Sequence, residues 1–302
     1  MLNPQTKLTV LHDDNGTFID YSKEAFDYSR DPLALGALHH TQDYLYIGFE
    51  KPINALYVEM GTANTNANTL TLQYYTNTGT WASVQGYHDD TKGFTRSGFI
   101  QWNRNLVNSD NQLNEAINDA DLATVNSTDL NWYRFRPDAY MSAGTSLAGI
   151  NLVFSDDREL QSEFPALLDS AGVAVDKFLA SGQTSHILTH VAVRNEIVQR
   201  IRNKDYIKYS TAETYSTRKS LNQWDLLEID EVRQAAKYFA LSKIFLNVSD
   251  ASDDSYAQKS ALYEKWAIEN INLARASLDT DNDGVSDTNE KLKPFNTRRI
   301  TR

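Results

Sequence analysis

Between Lys7 and about Asp157 apolar residues recur at every second position, as in Tyr44, Tyr46 and Gly48 and again in Leu56, Val58 and Met60. That is the period of strands with one buried face. Further runs of this character cover Thr69 to Tyr75, Phe94 to Trp102, Trp132 to Arg136 and Ile150 to Phe154. Turn-forming clusters separate them at Lys51-Pro52, Gly61 to Asn68, Asn77-Thr78-Gly79 and Asp89 to Gly93. Many short strands joined by polar turns predict an antiparallel β-sandwich or jelly roll. Asn103 to Leu130 breaks the pattern, being rich in Asn and Asp with one weakly helical stretch around Leu113 to Ile117. It reads as a long surface loop, a kind that more often serves a function or a partner than short connections do.

After Ser155-Asp156-Asp157 the period lengthens. Ile187, Val191, Arg194, Val198 and Ile201 follow helical spacing, and so do Tyr256, Tyr263, Ala267, Ile271, Ala274 and Leu278. Between them, Asp230 reads as the cap of a helix through Val232, Ala236, Phe239 and Ile244, apolar or small nearly all round and therefore expected to be central. Pro165 and Gly182 bracket a further helix, for at least four between about 163 and 278. The expected fold is α+β in two domains. A jelly-roll-like sandwich covers 1–158, and a helical domain covers 159–290, ending in an EF-hand-like calcium loop at 279–290. A basic C-terminal arm covers 291–302.

Composition narrows the functions open to such a chain. With 41% hydrophobic and 23% charged residues among 302, it lies in the globular range. No run of about 18 apolar residues occurs, and Met1 to Asp14 lacks the basic start and apolar stretch of a secretory signal. The absence of cysteine removes disulfides, thiolate nucleophiles and cysteine metal sites together. A net charge of −11 argues against gripping nucleic acid by phosphate neutralisation, but not against an acidic wall past which DNA slides.

The strongest motif is Asp279-Thr280-Asp281-Asn282-Asp283-Gly284-Val285-Ser286-Asp287-Thr288-Asn289-Glu290. Calcium is a hard cation that takes about six to eight oxygen ligands. Asp279, Asp281 and Asp283 offer alternating carboxylates, Val285 a carbonyl, Asp287 a direct or water-mediated ligand and Glu290 a bidentate closure, while Gly284 permits the sharp turn. Ser286 stands where paired EF-hands carry an aliphatic residue, and no second amphipathic helix follows in Lys291 to Arg302, which contains Pro294. A single structural calcium clip is therefore expected, similar to those of thrombospondin-type and dockerin repeats, rather than a sensor; the alternative is a solvated acidic turn without metal.

Other candidates are weaker. His186 and His190 share a helix face but lack a third zinc ligand or an HExxH pattern, so they read as ordinary surface or packing histidines; His39-His40 is equally unspecific. Glu50 and Glu59 would form a glycosidase pair only about 5 to 10 Å apart, and otherwise read as solvated strand surface. Tyr44, Tyr46, Tyr74, Tyr75, Trp81, Trp102, Trp132 and Tyr133 should mostly fill the core, with an outward subset available to sugars or a partner. Arg134 and Arg136 alternate with Tyr133 and Phe135, to pair with acidic neighbours or hold a subunit contact. The tail residues Lys291, Lys293, Phe295, Arg298, Arg299, Ile300 and Arg302 read as a frayed end or as an arm that docks on an acidic partner. No Gly-rich phosphate loop, GxSxG elbow or nucleophile with a recognisable base occurs, so catalytic and cofactor-binding residues are not expected.

The strand-rich half, through Tyr44-Leu45-Tyr46-Ile47-Gly48-Phe49, Ala55 to Gly61, Leu70 to Tyr75, Gly79-Thr80-Trp81, Phe94 to Trp102, Trp132-Tyr133-Arg134-Phe135-Arg136 and Ile150 to Asp157, resembles a jelly-roll module of tailed-bacteriophage structural proteins. Trp224-Asp225-Leu226-Leu227, Val232 to Phe245 and the Asp279 to Glu290 loop resemble the helical half of phage head-tail connector, or adaptor, proteins. This resemblance implies a non-enzymatic virion protein of the neck, assembled in the host cytoplasm as a homo-oligomeric ring, usually of about twelve copies, beneath the portal. It further implies contacts with portal and other neck or tail proteins, DNA passing through the lumen without specific binding, and no membrane. The loop 103–130 and the large front module depart from minimal adaptors. A carbohydrate-binding or tail-associated adhesion module is the alternative, and a glycan-active enzyme a distant third.

Overall fold

The computed structural model describes residues 9–26, 31–36, 38, 41, 43–49, 53–76, 79–102, 130–169, 174–179, 183, 185–203, 223–226, 228–249, 254–274 and 277–278. They form an α+β chain whose two compact units divide between Leu152 and Val153.

The first unit holds eleven strands in two antiparallel sheets, compatible with the expected sandwich. The larger sheet runs β2 (Thr17–Asp20), β1 (Thr9–Asp14), β4 (Tyr44–Phe49), β10 (Asn131–Pro137), β6 (Leu70–Tyr75) and β7 (Trp81–Ser83). The smaller runs β3 (Leu33–Ala34), β11 (Ser146–Asn151), β5 (Ala55–Thr62), β9 (Gly98–Gln101) and β8 (His88–Asp89). The β1–β2 hairpin turns on Asn15 and Gly16, both at positive φ (50° and 85°), with Asp14 opposite Thr17. An Asn-Gly pair takes this turn readily because its twist matches that of the flanking strands.

Cross-strand partners point to the same side of a sheet. On one side of the larger sheet lie Val10, Leu45, Ile47, Phe49, Tyr133, Phe135, Leu70 and Leu72, all buried. Tyr133 reaches the segment leading into the smaller sheet: its hydroxyl donates to the Ile53 carbonyl at 3.1 Å, and its ring lies 5.1 Å from that of Trp102. This is the inner face. The opposite, outer face has a cluster of its own in Leu11, Tyr46, Tyr75, Leu130 and Trp132, packed against Phe18, Tyr44 and Trp81. The central strands are thus covered on both sides, and the Tyr44-Tyr46-Gly48 alternation marks the outer face rather than the inter-sheet core.

The second unit contains α1 (Asp157–Glu163), α2 (Ile187–Asn203), α3 (Asp230–Val248) and α4 (Ser255–Leu273). In α3, Val232, Ala235, Ala236, Phe239, Ala240, Leu241, Ile244 and Phe245 are buried, which makes it the central helix. Its small residues allow close approach: the Ser260 hydroxyl of α4 donates to the Ser242 carbonyl of α3 at 2.9 Å. Two expectations need correction. Ile229, not Asp230, occupies the cap of α3 without a side-chain hydrogen bond, and Asp230 sits in the first turn, 3.0 Å from Arg233. The helix placed between Pro165 and Gly182 is absent from the described part of that segment, which holds 3-10 turns at Pro165–Leu167 and Asp176–Phe178 and a Leu168–Ala174 bridge. Pro165 disfavours helical backbone at Phe164, which adopts φ −136° and closes α1 instead.

Candidate functional site

Three places in the described structure concentrate chemistry. The first is the outer face of the larger sheet. Arg134 pairs across the sheet with Tyr46 of β4 and Gln73 of β6, so their side chains share one side. Its guanidinium lies 3.9 Å from the centre of the Tyr44 ring and 4.2 Å from that of Trp81, and its Nε donates to Gln73 Oε1 at 2.7 Å. Arg136 lies 5.2 Å from the Tyr44 ring and donates to the Tyr44 hydroxyl at 3.0 Å. Phe18, Tyr44 and Trp81 roof the buried Tyr46, with ring separations of 5.8, 5.7 and 5.6 Å. Tyr44, Gln73, Trp81, Arg134 and Arg136 are all partly open to solvent. Neither arginine meets a carboxylate among the described residues; they stack on aromatic rings, so of the two readings, acidic pairing or a subunit contact, the first is not seen there. The sequence named these residues singly. Their convergence was missed because it needs the β4–β10–β6–β7 order, although Tyr44-x-Tyr46 and Arg134-x-Arg136 each carry the two-residue signal.

The second place is a buried polar staple. His190 on α2 meets the Ser155 hydroxyl through Nδ1 at 2.9 Å and Asp157 Oδ1 through Nε2 at 2.9 Å. Burial works against charge on both partners. Their mutual hydrogen bond and attraction outweigh it, holding Asp157 below its usual carboxylate range and His190 above its ordinary value, with Asp156 and Glu159 assisting the histidine. His186, buried beside them, is pushed down by burial despite Asp157. The residue order resembles a nucleophilic triad, but Ser155 meets the ring nitrogen that a triad gives to its carboxylate, and Ser155 and His190 are each only 1% exposed. The arrangement joins the start of α1 to α2. Both histidines pack in the interior, as one of the two readings allowed.

The third place is α4. Only Ser260, Ala267 and Ile271 are buried along its 19 residues, while Leu262 is 43% and Leu273 67% exposed. Leu246, near the end of α3, is 61% exposed.

Glu59 is buried and accepts a hydrogen bond from the Tyr57 hydroxyl at 3.1 Å, so it is not solvated strand surface. Glu50, His39, His40 and most of the 103–130 loop lie outside the described residues. So do the calcium-loop positions Asp279, Asp281, Asp283, Val285, Asp287 and Glu290, and the arm residues Lys291, Lys293, Phe295, Arg298, Arg299, Ile300 and Arg302. The residues leading into that loop are described. Ser277 donates its backbone N–H to Glu231 in the first turn of α3 at 2.6 Å, and Leu278 bridges Leu226, so the chain reaches the loop from the N-terminal end of the central helix.

No protein-family profile matches the chain, and no curated protein matches it significantly. Among the described residues, no helix is long and apolar enough to cross a membrane.

Proposed function

We propose that this chain is a virion structural protein of a tailed bacteriophage, a head-tail adaptor whose helical unit assembles as a homo-oligomeric ring beneath the portal and links head to tail. The observation that carries the reading is α4, a helix that leaves Leu262 and Leu273 open to solvent and covers Tyr256, Tyr263 and Trp266 only in part. Fully burying an apolar side chain of this size stabilises by about 1.5–3 kcal/mol. A neighbouring copy laid along α4 gains that term at several positions, which favours a role as a building block of an assembly. The net charge of −11 suits a lumen through which DNA passes without being held.

In this reading Asp279, Asp281, Asp283, Val285, Asp287 and Glu290 hold a structural calcium ion, for which an all-oxygen donor set is chemically suited. The ion ties the chain beyond Leu278, and the basic arm 291–302 contacts the portal or a neighbouring copy.

Co-sedimentation with portal-bearing, tailless heads, followed by electron microscopy, tests the proposal. The wild-type chain is expected to join the heads as a ring at the portal vertex. Leu262→Asp combined with Leu273→Asp should leave a folded monomer that does not join. A wild-type chain that stays monomeric and never co-sediments would overturn the reading.

A further inference from the structure

We propose that the outer face of the larger sheet, centred on Arg134 between Tyr44 and Trp81 with Arg136 beside it, binds a carboxylate-bearing sugar of an acidic glycan. The inference is independent of the adaptor reading, because it uses only residues of the strand unit.

A surface arginine normally loses much of its rotamer freedom when it binds, which weakens the contact. Arg134 is held in advance. One ring centre lies 3.9 Å away and another 4.2 Å away, and its Nε is occupied by Gln73 at 2.7 Å. Its two terminal nitrogens keep their donors, and no carboxylate among the described residues takes them. A guanidinium fixed in this way presents a planar fork that matches the two oxygens of a carboxylate, a match that a lysine ammonium cannot provide. Arg136 follows two positions along β10, roughly 7 Å further on the same side, about the span of one pyranose ring. Tyr44 holds it through a hydrogen bond of 3.0 Å.

The surroundings suit a sugar better than other anions. Thr71, opposite Arg136, places a hydroxyl group beside that arginine, and Ser83, opposite Gln73, adds another one strand further out on the same face. Phe18 and Trp81, both partly open, add apolar ring surface. Two cations release few counterions from a polyphosphate, and the net charge of −11 repels one, so nucleic acid is the weaker fit. For a short carboxylated sugar the local pair of positive charges decides, since the rest of the acidic surface is screened beyond about 10 Å at moderate salt.

The experiment uses the full chain and calorimetric titration with galacturonate oligosaccharides, sialic acid oligomers, uncharged galactose oligosaccharides and single-stranded DNA. At least one carboxylated glycan is expected to bind while the neutral sugars do not. Arg134→Gln should weaken binding by about tenfold or more, and Arg134→Lys, which keeps the charge but loses the fork, should weaken it comparably. Near-ultraviolet circular dichroism checks the aromatic cluster in each variant. Should Arg134→Gln fail to fold, Arg134→Lys and Arg136→Gln decide the matter. No binding of either acidic glycan, equal binding of neutral sugars, tighter binding of DNA, or full affinity in folded Arg134→Lys and Arg136→Gln variants would each overturn the proposal.

Discussion

Gly48 faces Trp132 across the β4–β10 pair, and a Cβ at this position would meet Trp132 Cζ3 and Leu130 Cδ1 at 2.9 Å. Both neighbours are buried side chains of the outer cluster, so neither can swing into solvent without opening it. Gly48→Ala is therefore expected to destabilise the strand unit by about 1–3 kcal/mol through overpacking, and to change tryptophan emission, as a denaturant titration followed by fluorescence would show. His190 supplies a second expectation at this scale. Of the buried histidines His12, His186 and His190, only His190 is shifted upward from its ordinary 6.5; burial pushes the other two down. A raised histidine contributes stability that is fully present below its unfolded value and is lost as pH rises through its folded value. Asp157, held down, contributes above its unfolded value and loses its contribution as pH falls through the folded one; protonating His12 and His186 weakens the fold on the same acid side. Glu159, raised by burial, also loses its contribution with rising pH, but from its ordinary 4.5 upward, so the loss that begins above about pH 6.5 is assigned to His190. In His190→Gln the fall in melting temperature between pH 6 and pH 9 should shrink, and an unchanged slope in calorimetric scans would remove His190 as its cause.

Among the elements, α1 owes its short existence to its ends. Asp156 Oδ1 accepts the Glu159 backbone N–H at 2.9 Å and Glu159 Oε2 accepts that of Asp156 at 3.0 Å, a reciprocal cap just ahead of the break at Pro165. Two ion pairs then clamp α1 to α3, Glu159 to Arg233 at 3.1 Å and Glu163 to Lys237 at 2.8 Å, one helical turn apart on each helix. Asp156→Ala should cost about 1 kcal/mol, measured by chemical unfolding, because it leaves a helix-start N–H without its acceptor. The segment after α4 supports an expectation for calcium. Ser277 and Leu278 already fix the start of the 279–290 loop at the N-terminal end of α3, so an ion binding the folded loop should stabilise the helical unit. A ligand that binds only the folded state adds about 2.7 kcal/mol at a hundredfold excess over Kd. Calcium should raise the melting temperature of the wild-type chain, and Asp279→Ala with Asp283→Ala should abolish the rise; an equal rise in that double variant would exclude the loop.

For the whole molecule, the expected consequences concern assembly. The arm 291–302 sets Lys291, Lys293, Arg298, Arg299 and Arg302 against an acidic body, with Phe295 and Ile300 between the charges. Exposed ion pairs alone contribute little, so the apolar residues matter to the docking proposed for it. Deleting residues 292–302 should leave circular dichroism unchanged and prevent stable co-sedimentation with portal-bearing heads. Normal co-sedimentation would identify the arm as a frayed end. The class of the fold was legible in the sequence, because strand and helix periods differ and change near Ser155; so was the central place of α3, since a helix apolar nearly all round must be enclosed. The hairpin at Asn15-Gly16 carries its signal in two adjacent residues. Local pattern could not tell which face of β4 meets the other sheet, because Leu45, Ile47 and Phe49 are buried on one side and Tyr46 and Gly48 on the other. Strand order decided that, and it also brought Tyr44, Arg134 and Trp81 together from three separate strands. Periodicity is a property of neighbours along the chain, so the sequence by itself determines elements and their apolar sides. Contacts between distant segments depend on which strands and helices come to lie side by side, and only the tertiary structure settles that.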